Sequence, residues 1–304
     1  AAYNATSNKY VVSTLGHLSY IAQNTSFWSK NFIQTANIDA TVTKFWDDTD
    51  DAGGVTGDIY NDDNDATSAG TNEGFLNIGT YSTKFTGEYD GGGYSISGLT
   101  INRPNEEYVG LFGATYTGVT IKNLSLTNVN ITGSKHVGSL AGYSNATTID
   151  NCSASGNVVS NNKRTVGGLI GYFWCCDIRN SYSTASVDGG SGLFIGGLVG
   201  YLGLTTMLNS YSTGSVVATT TNTTFKGGLV GYRYNSTITD SFYNKETALQ
   251  TDTGKGTGKT TAEMKTLATF TDTATAGLST SWDFDNIWVI DTSGTINGGY
   301  PYLR

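Results

Sequence analysis

Ile195-Gly196-Gly197-Leu198-Val199-Gly200-Tyr201, followed by Leu208-Asn209-Ser210-Tyr211-Ser212-Thr213-Gly214-Ser215-Val216, decides the fold, because the chain writes this phrase five times. Its closing glycine recurs as Gly113, Gly142, Gly171, Gly200 and Gly231, at spacings of 29, 29, 29 and 31. A polar position in the second phrase recurs as Asn123, Asn151, Asn180, Asn209 and Asp240, at spacings of 28, 29, 29 and 31. A period this regular is the mark of stacked structural units. Each unit carries two apolar runs of strand length separated by turns. A unit so short and so rich in Gly, Thr and Ser does not make two packed helices, but it fits one turn of a parallel β-helix. Equivalent residues of successive coils would then lie about 4.8 Å apart, like stacked on like.

The columns bear this out. Leu111, Leu140, Leu169, Leu198 and Leu229 form one apolar ladder; Ile121, Ile149, Ile178, Met207 and Ile238 form another. The Asn/Asp column stands two residues after the isoleucines, so strand alternation places it on the same inward side. There a stack of amides would satisfy itself up and down the ladder. Gly167, Gly196 and Gly227 mark corners that need positive φ or close backbone approach. Tyr143, Tyr172, Tyr201 and Tyr232 make a further column, read as packing and edge protection in preference to a sugar-stacking strip.

The bulk composition agrees. Of 304 residues only 14% are charged, 40 are Gly, and 19 Tyr, 12 Phe and 5 Trp supply too much apolar surface for a disordered chain. A formal net charge of −8 leaves no basic face for nucleic acid or an anionic membrane. No apolar run approaches the ~18 residues that span a bilayer. The start at Ala1-Ala2-Tyr3, with neither an initiator Met nor a signal peptide, reads as that of a processed or excised segment.

The repeat lies inside flanks that lack it. Residues 1–84 read as an N-terminal cap, with a helical turn around Leu15–Ile21 and a strand in 32–40. Residues 85–243 read as coils, the repeats being clear over 109–243, and 244–304 as a C-terminal cap rich in aromatics with a short helix in 261–270. The whole is expected to be one right-handed parallel β-helix, all-β and capped at both ends.

The phrases Val-Gly-Gly-Leu-Ile-Gly (166–171), Gly-Gly-Leu-Val-Gly (196–200 and 227–231) and Asn-Ser-Tyr-Ser-Thr resemble the GLUG repeat of bacterial surface and secreted proteins. The segments 85–91, 99–104 and 299–303 resemble its flanks. The first repeat departs by one missing residue at Val109-Gly110-Leu111-Phe112, and the fifth by Lys226 at a Val/Ile position. The resemblance implies a β-helical module, often within large adhesin-like proteins and sometimes beside protease domains. It carries over no catalytic residue.

Candidate sites fall where the repeat is broken. Trp174 and Tyr234 occupy a turn position held by Asn145 and Gly203 in other coils, and with Phe173 and Arg233 they form a candidate binding edge, against the alternative that they fold over onto the cap or pack on a neighbouring turn. Between Trp46 and Gly74 the carboxylates Asp48, Asp50, Asp62, Asp63 and Asp65, with Asp47, Asp51 and Asp58, suit calcium without matching an EF-hand; a solvated acidic loop is the alternative. Cys152 lies one coil before Cys175-Cys176, so either a bridge between coils or buried free thiols is open. The loop Gly254–Thr260 lacks the first glycine of a phosphate loop. His17 and His136 are the only histidines, with no zinc-protease pattern.

The outward column Lys122, Asp150, Arg179, Leu208, Thr239 holds no carboxylate pair for glycoside hydrolysis. The threonine column Thr120, Thr148, Thr206, Thr237 is broken by Asp177, which speaks against a flat ice-binding face. The expected function is therefore a non-enzymatic adhesion module, secreted or on a bacterial surface and part of a larger chain, with a glycan or a surface protein as partner. A spacer, a β-helical polysaccharide-degrading enzyme and an ice-binding protein are the alternatives.

Overall fold

The computed structural model describes residues 2–6, 8–46, 72–161, 164–219, 225–251 and 254–304. They form a parallel β-solenoid. Strands of successive coils pair in parallel register, as in Ala141↔Ile170, Ile149↔Ile178 and Ile170↔Val199. A second, five-stranded sheet runs up the stack through Val109, Val137, Val166 and Ile195. The one-residue deletion of the first repeat sits between these two sheets. Val109 pairs with Val137 at a separation of 28, and Phe112 with Ala141 at 29.

The inward ladders close the interior. All five leucines of the first column are fully buried, as are Ile121, Ile149 and Met207. The structural ladder also begins before the sequence period does. Tyr10, Phe32, Tyr89 and Ile121 stand in one register, so the strands Lys9–Val12 and Phe32–Gln34 are already layers of the solenoid. There Phe32, Phe85, Tyr89 and Phe112 fill the interior with rings 5.0 to 6.3 Å apart, and in the coils that follow Ile121 takes the place of Tyr89 and Ala141 that of Phe112. The helix Leu15–Gln23, capped by Thr14, buries Leu18, Ile21 and Ala22 against this end.

The Asn/Asp column does not point into the core. Asn123, Asn151, Asn180, Asn209 and Asp240 have φ between 48° and 55°. A left-handed residue turns the chain and ends the strand alternation on which the inward assignment rested. Asn and Asp are among the few side chains that tolerate this conformation, so the column marks a corner. Its amides reach along the stack only in part: Asn123 Nδ2 donates to Asp90 Oδ1 at 3.0 Å and Asn151 Nδ2 to Asn123 Oδ1 at 3.2 Å.

The residue after each corner does the inward work. Ser181 Oγ donates to Arg179 O at 2.7 Å and accepts the Cys152 N–H at 3.2 Å; Ser210 and Ser241 repeat both bonds one and two coils on. A second corner, at Ala146, Cys175, Leu204 and Asn235 with φ of 44° to 53°, is followed by Thr147, Cys176, Thr205 and Ser236. Thr205 and Ser236 donate back across their corners in the same way, and Cys176 Sγ does so to Trp174 O at 2.9 Å. Each hydroxyl or thiol adds a donor to a carbonyl at its corner; Leu208 O also accepts the Asn180 N–H, Gly203 O the Cys175 N–H and Tyr234 O the Leu204 N–H.

Cys152 and Cys176 are thus buried free thiols standing in for serine in these ladders, and Cys175 is an exposed corner residue. No bridge joins the coils among these three. Burial pushes both buried thiols up to about 12. Gly167 and Gly196 have ordinary φ and serve close approach instead. A Cβ on Gly167 would stand 2.2 Å from Ile170 O, and one on Gly196 2.1 Å from Val199 O.

The C-terminal segment adds one parallel strand, Thr257–Lys259, beneath Phe242–Asn244, and then turns aside. The expected helix is two short ones, Thr261–Met264 and Ala268–Thr271, the first held by a Thr260/Glu263 capping box. Trp282, Trp288 and Phe270 then pack on the outward rings of Tyr182, Tyr211 and Phe242. This cap therefore covers a flank of the later coils as well as the last layer.

Candidate functional site

The solenoid presents two unlike flanks. One is charged. Lys9 and Lys122 both pair with Glu88 and Asp90, at 2.9 to 3.7 Å, and Arg179 pairs with Asp150 at 3.0 Å. The mixed-sign outward column is thus a ladder of alternating ion pairs. Burial works against ionisation of Glu88 and Asp90, but the lysines and, at Asp90, the Asn123 amide outweigh it and hold both below the usual carboxylate range.

The other flank is aromatic. Tyr143, Tyr172 and Tyr201 stack at 5.2 and 4.6 Å with their planes 6° and 12° apart, and Tyr232 continues the column at 5.4 Å. In-register pairing fixes this spacing, since these residues are Cα partners in adjacent strands. Because Tyr172 and Tyr201 each lie between two rings, their edges and phenol tips, not their faces, meet solvent. Burial, then the neighbouring Tyr201 and Tyr143, push the Tyr172 phenol up to about 12, so it remains a neutral donor and acceptor at physiological pH.

A second column lies beside the first and was not foreseen. Tyr108 and His136 stack at 5.1 Å, Tyr81 stacks on Tyr108 at 4.7 Å, and Phe194 and Phe225 stand 5.1 Å apart beside Tyr232. Tyr108, His136, Phe194 and Phe225 stand one residue before Val109, Val137, Ile195 and Lys226 of the five-stranded sheet, with Thr165 in the same place before Val166. Tyr108 and His136 hold φ of 64° and 48°. Such a conformation is strained for a bulky side chain, and here the ring stack holds it.

Trp174 and Tyr234 come together on this flank, with ring centroids 5.8 Å apart and planes at 16°. Gly203 makes the contact possible, because a Cβ there would stand 2.3 Å from the indole. Trp174 therefore packs over the neighbouring coil and also faces out, and Tyr234 is 43% exposed. The other two members of the expected edge lie elsewhere. Phe173 is fully buried in the core, because strand alternation turns it inward between Tyr172 and Trp174. Arg233 is in register with Leu202 and Phe173, so it follows the inward column. It is exposed only because that column ends there, in a crevice with Asp240, Gly254 and Ser279. Asp48, Asp50, Asp62, Asp63 and Asp65 lie outside the described residues. Among the described residues no group of three or more His, Cys, Asp or Glu is placed to hold a metal, and no helix is long and apolar enough to cross a membrane.

His136 is buried, with Nδ1 2.8 Å from Thr165 Oγ1. Burial, with Arg164 adding to it, lowers its pKa from 6.5 to about 4. The unfolded chain takes up this proton near 6.5 and the folded chain only near 4. Its stabilising contribution is therefore complete above pH 6.5 and is lost as pH falls to about 4, a span worth about 3 kcal/mol. Urea unfolding at pH 7 and 4.5 is expected to show this loss, and His136→Tyr, which copies Tyr108 of the preceding coil, is expected to reduce it. Equal losses in both proteins would contradict the assignment.

Residues 133–159, one whole coil, match the family model described as "The GLUG motif". That coil carries a GLUG motif. Halomucin of Haloquadratum walsbyi is 33% identical over 158 residues, which is 51% of this chain and 2% of Halomucin. A protein of Evansella cellulosilytica named as a Gly-rich membrane protein is 46% identical over 70 residues, or 22% of this chain and 7% of that one. The chain thus matches only a small part of the length of either relative. A crystal structure from Bacteroides ovatus, named as an immunoglobulin A1 protease, superposes with a TM-score of 0.61 at 16% identity, covering 100% of this chain and 94% of the other. At that identity the likeness shows the fold of this solenoid and nothing of its chemistry.

Proposed function

We propose that this GLUG solenoid is a non-enzymatic binding module of a larger cell-surface protein, and that its aromatic flank meets a glycan. The observation that carries the reading is the continuous strip of half-exposed rings from Tyr81 to Tyr234, crossing every repeat on a side that the C-terminal cap leaves open. Exposed ring edges with neutral phenol tips suit a ligand that offers hydroxyls beside apolar C–H groups. The names of the relatives, a mucin and a membrane protein, support a surface location. The ordinary groups of catalysis are engaged in packing: Cys152 and Cys176 in corner ladders, His136 with Thr165, and Asp90 and Glu88 in ion pairs.

A spacer role is the second reading, favoured by the regularity of the inward ladders. A glycan array separates the two. Binding by the intact chain, lowered about tenfold or more by Trp174→Ala or Tyr234→Ala, is the expected result. No binding to any glycan would favour the spacer, and binding that both variants retain would remove the aromatic flank from the site.

A further inference from the structure

We infer a second, smaller binding site on the opposite side of the molecule, in the crevice between the Asn corner ladder and the C-terminal segment, and the geometry points to a neutral monosaccharide as its ligand. The crevice has a volume of about 460 Å³, within the range of small-molecule sites. Asp90, Asn123, Ser125 and Asn151 form one wall, and Asn286 and Arg304 face them from the C-terminal segment. Gly92 and Gly93 adopt φ of 61° and 81° and leave the rim open; a Cβ on Gly93 would meet nothing within 4 Å. The Tyr94 ring borders this rim, 3.3 Å from the Cβ position of Gly92, and is 38% exposed.

The chemistry of the lining selects the ligand class. Amides, a hydroxyl, a carboxylate and a guanidinium together offer paired donors and acceptors, which vicinal hydroxyls match. Asn151 Nδ2 donates to Asn123 Oδ1 and Asn123 Nδ2 to Asp90 Oδ1, one hydrogen from each amide, and each amide carries a second hydrogen to offer a ligand oxygen. A divalent cation fits poorly, because the Asp90 carboxylate already faces Lys9 at 3.5 Å and Lys122 at 3.7 Å. A phosphate fits poorly too. Among the described residues the one cation lining the crevice is Arg304, whose Nη2 donates to Phe284 O at 2.7 Å, and the opposite wall is anionic. A neutral polyol needs no net charge, and the Tyr94 ring at the rim can cover its apolar face.

The site is independent of the aromatic flank, so it stands or falls separately from the reading given above. The test is saturation-transfer NMR and titration of the intact chain with methyl β-D-glucopyranoside, methyl β-D-galactopyranoside, methyl α-D-mannopyranoside and N-acetyl-D-glucosamine. At least one is expected to bind saturably. Asn151→Ala is expected to weaken it about tenfold or more, as is Arg304→Gln, an exposed change at the end of the described chain that does not threaten folding. Trp174→Ala is expected to leave it unchanged. Failure of all four glycosides, binding that survives both crevice variants, or a Ca²⁺ titration that shifts the Asp90 and Asn123 resonances would each overturn the assignment.

Discussion

Leu169→Ala is expected to lower the unfolding free energy by about 2 to 5 kcal/mol, the range of a fully buried leucine whose cavity cannot collapse. Leu169 is fully buried in the middle repeat, with Leu140 and Leu198 above and below it in the same ladder. Its own backbone binds both neighbours: Leu140 N–H donates to Leu169 O at 2.9 Å, and Leu169 N–H to Leu198 O at 2.9 Å. Register therefore holds the coil while the side chain is missing, and the void remains. Thr206→Ala, on the exposed outward column, is expected to change stability by less than about 0.5 kcal/mol. Urea denaturation of the two variants checks the contrast. A cost below about 1 kcal/mol at Leu169 would mean that the leucine ladder is not the core.

Ser181→Ala is expected to be nearly as damaging, at about 2 to 4 kcal/mol, although it removes a single oxygen. Ser181 is fully buried, and its hydroxyl serves both the Arg179 carbonyl and the Cys152 N–H of the adjacent coil. Alanine leaves the buried Cys152 N–H unpaired, at about 1 to 3 kcal/mol, and takes a donor from the Arg179 carbonyl, at about 1 kcal/mol more. Ser181→Cys is the discriminating control. A thiol already fills the equivalent place at Cys152 and Cys176, so this variant is expected to lose less than about 1.5 kcal/mol. The pair is measured by chemical denaturation, together with hydrogen exchange at the Cys152 amide. Equal costs for Ala and Cys would show that volume, not hydrogen bonding, sets the value.

These two residues also mark what the sequence makes legible. Leu169 belongs to a column that periodicity alone reveals, because hydrophobic burial repeats wherever the coil repeats. Ser181 does not stand out, since a serine beside an Asn reads as one more turn residue. Its role depends on the left-handed corner at Asn180, which strand alternation cannot anticipate and which turned the expected inward Asn ladder into a line of corners. That Lys9–Val12 and Phe32–Gln34 are layers of the solenoid was hidden for another reason: they join the stack by backbone pairing, outside the sequence period. Phe173 was placed on the binding edge beside Trp174, yet neighbours on a strand face opposite sides. Tyr108, His136 and Phe194 were missed because their column changes residue type at every coil, so only its position repeats.

Hydroxyl-radical footprinting of the chain, free and with a glycan selected on the array, tests the functional reading most directly. The expected result is protection of Tyr172, Trp174, Tyr201, Tyr232 and Tyr234, with Tyr3 and Tyr20 at the N-terminal end unchanged. Protection confined to the N-terminal end or to the flank under the C-terminal cap, with the aromatic strip still reactive, would contradict it.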